Sequence, residues 1–220
     1  MSALEVVRNK IKEACLKAKR SEEPVLVAVS KKKALSELLE VYNQGQRVFG
    51  ENYVQELIAK KVEMDAQGAV DADFHFIGHL QTNKVKQLLP YVSTIESVDS
   101  LKLLREISTR AEALQKKINC YFEVNVDEQE SKGGFLPAEL NALAAELPSH
   151  LKWIVPQGLM CIPDPEKNSR FGFLRLRELN HYHAEVWGPG LSMGMSQDYE
   201  TAIECGATVV RVGSAIFGAR

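Results

Sequence analysis

Eight short apolar runs alternate with segments of helical periodicity along this chain, and few folds accommodate such a pattern. A parallel strand covered on both faces is apolar along its length, as these runs are. Eight strand and helix repeats within about 200 residues predict a parallel (β/α)8 TIM barrel. A doubly wound open sheet is the alternative, because the number of strands does not establish closure. The predicted strands are VLVAVS (25 to 30), RVFGE (47 to 51), FHFIG (74 to 78), TIESV (94 to 98), CYFEVNV (120 to 126), GLMCI (158 to 162), LSMGM (191 to 195) and TVVRVG (208 to 213).

Between these strands, apolar residues recur every three or four positions, as they do on the buried face of a helix. Residues 1 to 20 show the same spacing with charges throughout, which predicts an additional N-terminal helix rather than a signal peptide. Ser100 or Asp99 can cap a helix, and Gly45 and Gly206 stand where helices should end. The other predicted helices are LSELLEVYNQG (35 to 45), VQELIAKKVEMDA (54 to 66), NKVKQLLPY (83 to 91), SLKLLREISTRAEALQKK (100 to 117), PAELNALAAEL (137 to 147) and DYETAIECG (198 to 206).

Composition predicts one domain, residues 1 to 220, that binds a small molecule. The chain is 45% hydrophobic, and its formal charge of -2 creates no field that would collect nucleic acid or an anionic membrane. Four scattered cysteines without a C-x-x-C pair are typical of reduced thiols, and no run approaches the roughly 20 apolar residues of a membrane span. We therefore expect a cytoplasmic monomer. Its least regular stretch, residues 163 to 190, predicts a loop, a helix and a second loop.

Glycines and serines follow the last two predicted strands, in LSMGMS (191 to 196) and RVGSAIFG (211 to 218). In TIM barrels the active site lies at the carboxyl ends of the strands, and phosphate is often held after strands seven and eight. Backbone N–H groups and serine hydroxyls at such turns can donate to one anion. Either cluster alone is also typical of a tight turn, but the two together predict a phosphate site.

Two basic residues lie near the same end of the predicted barrel. Lys31 directly continues the first strand, and a partly desolvated amine there favours its neutral form and attack on an aldehyde. Lys32 and Lys33 are expected in a solvated charge run before the next helix. Arg211 lies in a buried run, so it needs an acceptor, either the ring nitrogen of a cofactor or a barrel carboxylate such as Glu51 or Glu123.

A cofactor that combines an aldehyde, a phosphate and a ring nitrogen is pyridoxal 5'-phosphate (PLP), although spacing alone would not single it out. The sequence also resembles the YggS/PROSC-type pyridoxal phosphate homeostasis proteins over nearly its whole length. The motifs that carry the resemblance are VAVSK (27 to 31), GQRVFGENYVQEL (45 to 57), FHFIGHLQTNK (74 to 84), ESVDSLKL (96 to 103), SKGG (131 to 134), GLMCIP (158 to 163), LSMGMSQDYETAI (191 to 203) and VRVGSAIFGAR (210 to 220).

The resemblance implies a fold similar to the barrel domain of alanine racemase, and PLP bound through Lys31. It further implies that Ser192, Gly213 and Ser214 hold the phosphate, that Arg211 faces the pyridine nitrogen, and that Asn52 lies beside the ring. For Asn52 the alternative is a residue that opens the following helix. The chain departs from the family in one loop, where SKKKA replaces the usual S-K-T-K-P and a helix-starting proline is missing.

The resemblance also bears on catalysis. Fold-related racemases place a tyrosine from another domain and subunit beyond the cofactor, and nothing in this sequence matches that domain. An arginine at the ring nitrogen makes the ring a weaker electron sink. The sequence therefore predicts an intracellular carrier or buffer that holds PLP as a Lys31 Schiff base, delivers it to PLP-dependent enzymes and lacks robust amino-acid catalysis. A PLP-dependent racemase of unknown substrate and a lysine-dependent aldolase without PLP are the alternatives.

Histidine and cysteine positions do not predict a metal site. His181 and His183 lie two residues apart, and the cysteines lack ligand spacing. Only His79 follows a predicted strand closely enough to approach a cofactor. We assign no metal ligand and no catalytic residue.

Overall fold

Eight parallel strands form a closed barrel in the computed structural model, which describes residues 1 to 164 and 166 to 218. The strands are β1 (Val25–Val29), β2 (Val48–Glu51), β3 (Asp73–Phe76), β4 (Thr94–Val98), β5 (Ile118–Glu123), β6 (Ile154–Met160), β7 (Gly190–Ser192) and β8 (Val209–Val212). Each strand pairs with the next, and β8 pairs with β1 from Val25↔Val209 to Ala28↔Val212. This closure confirms the predicted TIM barrel and excludes the open sheet.

Helices connect the strands and cover the outside of the barrel. They are α1 (Ala3–Lys17), α2 (Leu35–Asn43), α3 (Val54–Ala66), α4 (Val85–Leu88), α5 (Leu101–Leu114), α6 (Leu140–Glu146), α7 (Ser169–Tyr182), α8 (Ala184–Trp187), α9 (Tyr199–Glu204) and α10 (Ser214–Phe217). The predicted N-terminal helix is confirmed as α1, which begins at a Ser2–Glu5 capping box and packs beside α9 and α10. None of the helices in the described part of the chain combines the length and apolar composition that crossing a bilayer requires.

The predicted helix ends follow local chemistry. The Ser100 hydroxyl accepts a hydrogen bond from the backbone N–H of Leu103 and caps α5. Gly45 and Gly206, with φ of 89° and 106°, follow α2 and α9 in the left-handed conformation that glycine tolerates. Although the usual proline is missing before α2, the helix begins normally, because the Glu37 carboxylate accepts a 2.8 Å hydrogen bond from the N–H of Ala34.

Three elements differ from the sequence prediction. Strand β6 begins at Ile154 rather than at residue 158, because a bulge between its pairs Cys120↔Pro156 and Tyr121↔Gly158 admits a proline and a glycine that usually mark turns. The segment 163 to 190 contains two helices, α7 and α8, and α10 was not predicted. Pro165, in the predicted loop, and residues 219 and 220 lie outside the described residues.

Side chains alternate between the two surfaces of the barrel wall. Phe49, Phe74 and Phe122 point outward and are buried in the layer between strands and helices. Neighbouring positions point into the barrel interior, which we call the lumen. Part of the lumen is apolar, with a cluster of Val27, Tyr121, Met160 and Val209. The remainder is polar and charged, which is unusual for a fold whose interior is commonly filled by branched apolar residues.

Candidate functional site

A cavity of about 620 Å³ opens at the carboxyl ends of the strands. Its volume lies within the range of about 300–1,000 Å³ that is common for small-molecule sites. Five of the six predicted cofactor residues line it, namely Lys31, Asn52, Arg211, Gly213 and Ser214. They follow or belong to β1, β2 and β8, which are neighbours in the closed barrel. The barrel thus brings together residues that are up to 183 positions apart (31 to 214) in the sequence.

The turn that carries Lys31 is held by a buried ammonium ion. Lys60 Nζ, on α3, donates to the Ser30 carbonyl oxygen at 2.6 Å and to Oε1 of both Glu51 and Glu56 at 2.7 Å. The same Glu56 oxygen accepts the backbone N–H of Lys32 at 2.5 Å. These contacts hold the residues on both sides of Lys31, so they fix the position of the Lys31 backbone.

Glu51, at the end of β2, is the buried carboxylate of this cluster and is fully shielded from solvent. Burial raises its pKa above the usual range, although hydrogen bonds from Lys60 and from the Ser30 hydroxyl at 2.6 Å favour the charged form. Its second oxygen, Oε2, has no hydrogen-bond partner among the described residues. The charge of Glu51 therefore depends on Lys60.

The interpretation of Lys33 as a solvated charge was wrong. Lys33 lines the cavity, and its side chain is only 15% exposed. Its Nζ donates to the Phe217 carbonyl oxygen at 2.8 Å, which joins the loop after β1 to α10. Lys32 is exposed with a φ of 61°, as expected for a loop residue.

Asn52 reaches the cavity because its backbone packs directly against Gly78. A Cβ atom at Gly78 would lie 2.4 Å from the Asn52 carbonyl oxygen, so no larger residue fits there. The side-chain Oδ1 of Asn52 is buried and has no hydrogen-bond partner among the described residues. Helix α3 is preceded by Tyr53, so Asn52 does not cap it. An unsatisfied buried acceptor is costly, and a ligand that donates to it would remove that cost.

Backbone N–H groups converge at the edge of the cavity where β8 leads into α10. The hydroxyl oxygen of Ser196 accepts from the N–H of Gly213 at 3.1 Å and of Ala215 at 3.4 Å. Two amide donors therefore point toward one oxygen atom at the edge of the cavity, beside Ser214. Such a group of donors at the start of a helix suits an anion.

Ser192 does not line the cavity, unlike the other predicted cofactor residues. It is fully buried, and its hydroxyl donates to Glu96 Oε2 at 2.6 Å and accepts from Arg211 Nη1. The predicted cluster LSMGMS reaches the cavity through Ser196 instead. Ser192 ends a strand and lies lower in the barrel, whereas Ser196 lies in the loop beyond it.

Arg211 contacts both the cavity and a buried carboxylate. Its Nη1 lies 3.6 Å from Glu96 Oε2, and its Nη2 donates to the Cys161 carbonyl oxygen at 2.9 Å. The carboxylate is therefore neither Glu51 nor Glu123, the candidates considered from sequence. Glu96 in turn accepts from His75 at 2.6 Å, and this pairing holds the pKa of Glu96 below its usual range despite burial, which would raise it.

Sequence reasoning missed Lys60, His75, Glu96 and the specific role of Ser196. The available signal was a charged or polar residue within an apolar run, as in FHFIG and TIESV, since such a residue needs a buried partner. His79, the histidine closest to a strand end, is exposed and pairs with Asp99 at 3.0 Å. Among residues 1–164 and 166–218, no three histidine, cysteine or acidic side chains are grouped as metal ligands would be.

Comparison with known proteins identifies the family. The profile described as "Alanine racemase, N-terminal domain" matches residues 4–220. The pyridoxal phosphate homeostasis protein of Haemophilus influenzae is 36% identical over 225 residues, which span 99% of this chain and 94% of the relative. The chain belongs to the pyridoxal phosphate homeostasis protein family. This confirms the family resemblance inferred from the sequence motifs.

Solved structures of similar proteins agree with this family assignment. PipY of Synechococcus elongatus, solved with PLP bound, has a TM-score of 0.81 and 32% identity, covering 94% of this chain and 100% of PipY. An alanine racemase of Streptomyces coelicolor has a TM-score of 0.76 at 16% identity, covering 99% of this chain and 59% of the racemase. The similarity to the racemase establishes that this chain shares its barrel fold.

Proposed function

We propose that this protein binds PLP in the cavity at the carboxyl end of the barrel and acts in intracellular PLP homeostasis. The observation that carries the proposal is the convergence on one cavity of a lysine, an arginine and a group of amide donors. The pyridoxal phosphate homeostasis relatives and the PLP-bound PipY structure support the same ligand. We propose further that residues 1 to 220 form one PLP-binding barrel domain that works as a cytoplasmic monomer.

The residues that line the cavity fit this cofactor. The Ser196 and Ser214 hydroxyls offer donors for a phosphate, and a phosphate oxygen would take the place of the Ser196 oxygen as acceptor for the N–H groups of Gly213 and Ala215. The unpartnered Oδ1 of Asn52 offers an acceptor beside the ring. Arg211 offers a donor for the pyridine nitrogen. Ser192, the remaining residue that sequence assigned to the phosphate, would act through Arg211 instead.

Lys31 supplies the covalent attachment in this proposal. Bound PLP provides an aldehyde that reacts with an amine. The neutral Lys31 amine attacks the aldehyde carbon, a C=N bond replaces the C=O bond, and the two amine protons leave with the carbonyl oxygen as water. Hydrolysis reverses this Schiff base and consumes the one water molecule that its formation released, so the protein can hold the cofactor and release it to PLP-dependent enzymes with no reactant other than water.

The same residues do not favour amino-acid catalysis. Arg211 is a fixed cation, and a ring nitrogen that accepts from it stays unprotonated, so the ring withdraws electrons less strongly. We infer a carrier or buffer rather than a racemase. Exchange of α-carbon deuterium in any amino acid at rates typical of PLP enzymes would favour the racemase instead.

The absorbance spectrum of the protein with PLP tests the proposal. We expect an imine band in the wild type, its loss in Lys31→Ala, and its retention in Lys32→Ala, a matched change in the neighbouring exposed lysine. Reduction with borohydride, digestion and mass spectrometry should then locate the adduct on Lys31. An adduct on another lysine, or an unchanged band in Lys31→Ala, would reject the proposal.

A further inference from the structure

A continuous chain of polar side chains crosses the lumen from β3 to β8. We call it the lumen network, and its members are Asp73, His75, Glu96, Ser192 and Arg211. His75 lies between two carboxylates, with Nε2 3.7 Å from Asp73 Oδ2 and Nδ1 2.6 Å from Glu96 Oε1. Beyond Glu96, the Ser192 hydroxyl and the Arg211 guanidinium share the other carboxylate oxygen, Oε2. The lumen network therefore runs from one end of the barrel to the cavity.

The charges of the lumen network alternate along its length. Asp73 and Glu96 are acidic, whereas His75 and Arg211 are basic, so the four charges balance when the histidine is protonated. Burial lowers the pKa of His75, but the nearby carboxylates of Asp73 and Glu96 more than offset this and raise the pKa to about 9. His75 is therefore charged at neutral pH, and Glu96 has a cation on each side.

Arg211 is the member of the network that reaches the cavity. Only 4% of the residue is exposed, and its guanidinium has acceptors at both Nη1 and Nη2. An arginine side chain with so many acceptors has little rotational freedom, and a planar guanidinium donates only in fixed directions. The direction in which it donates toward the cavity is thus set by Glu96, Ser192 and the Cys161 carbonyl group.

We infer that Glu96 and Ser192 are positioning residues that orient the Arg211 guanidinium toward PLP, with His75 as the counter-ion of Glu96. This inference rests on the proposed function and assigns a role to residues outside the cavity. Stability alone gives little reason for the network, because well-packed apolar residues often replace buried ion pairs without loss. An arginine needed at the cavity explains it, since that charge requires a buried partner.

Three variants test the inference. Ser192→Ala removes the hydroxyl that joins Glu96 to Arg211, and Glu96→Gln removes the charge. Thr94→Val is the matched control, because Thr94 is also buried on β4 but its hydroxyl contacts Ser93 and Asn119 rather than the network. The measurements are PLP affinity by absorbance titration and the circular dichroism of the imine band per bound PLP, with thermal unfolding of the PLP-free protein as the check on folding.

We expect Ser192→Ala to weaken PLP binding about tenfold and Glu96→Gln about tenfold to a hundredfold, as expected for hydrogen bonds to charged groups. Both should also change the dichroism of the imine band, because the ring changes its orientation, whereas Thr94→Val should match the wild type. If Glu96→Gln does not fold, Ser192→Ala decides the question.

Wild-type affinity and an unchanged dichroic band in folded Ser192→Ala would overturn the inference while leaving the proposed function intact. Equal losses in Ser192→Ala and Thr94→Val would also overturn it, since they would show a general effect of lumen substitutions. Failure of the wild type itself to form the imine band would instead reject the proposed function, and the inference with it.

Discussion

Replacing Lys60 by methionine removes the ammonium ion that holds the turn around Lys31. Methionine keeps most of the side-chain volume, so the change isolates the charge and its three hydrogen bonds. Glu51 then stays between the barrel wall and α3 with no exposed surface and no cation in contact. Breaking a buried ion pair in this way costs about 3–5 kcal/mol. We expect the free energy of unfolding of Lys60→Met to fall by that amount at pH 8.

Lys61→Met is the matched control on the same helix. Lys61 pairs with Asp65 at 2.6 Å, but that carboxylate side chain is 41% exposed, so the loss should stay below about 1 kcal/mol. The double variant Lys60→Met/Glu51→Gln leaves no buried charge without a partner. We expect it to be more stable than Lys60→Met, although the Ser30 carbonyl oxygen then keeps only the backbone N–H of Lys33 as a donor, at 3.0 Å.

The destabilisation in Lys60→Met should depend on pH. Burial already raises the pKa of Glu51, and loss of the nearby cation raises it further. A carboxyl group whose folded pKa lies above its unfolded value destabilises the fold increasingly as pH rises between the two values. The deficit should therefore be smaller at pH 5 than at pH 8. Urea unfolding followed by tryptophan fluorescence measures it. A deficit below about 1 kcal/mol at pH 8, or a double variant no more stable than Lys60→Met, would refute this account.

Three further predictions concern the lumen and the cavity. The pKa of His75 is raised to about 9, so its contribution to stability is complete below about pH 6.5 and is lost as pH rises through 9. Urea unfolding should show that the free energy of unfolding falls by about 3 kcal/mol over this pH range in the wild type and not in His75→Gln. Gly78→Ala should cost about 1–3 kcal/mol in thermal unfolding, because its Cβ would clash with the Asn52 backbone, whereas Gly133→Ala, with its nearest contact at 3.8 Å, should not. Ser196→Ala should weaken PLP binding about threefold to tenfold in an absorbance titration, and an unchanged affinity would exclude this hydroxyl from the phosphate site.

The barrel and much of its site follow from local patterns in the sequence. All eight strands were predicted because each is a short apolar run between turn residues, and the helices other than α8 and α10 because their apolar residues recur at helical spacing. The rule that active sites lie at the carboxyl ends of barrel strands then predicted the side of the molecule on which Lys31, Arg211 and Gly213 meet. Strand β6 began earlier than predicted, because a bulge absorbs its proline and glycine.

The roles of Ser192 and Ser196 depend on contacts between distant parts of the chain. The two serines lie four residues apart in one motif, and composition does not distinguish them. Their depth in the barrel follows from the register of β7 against β6 and β8, which buries Ser192 beside Glu96 and leaves Ser196 at the cavity. Apolar periodicity acts over a few residues, so the sequence reveals the strands and their order. The partners of Lys60 become known only when α3 packs against the ends of β1 and β2. Those of Arg211 become known only when the eight strands close, because closure brings Glu96 on β4 near Arg211 on β8.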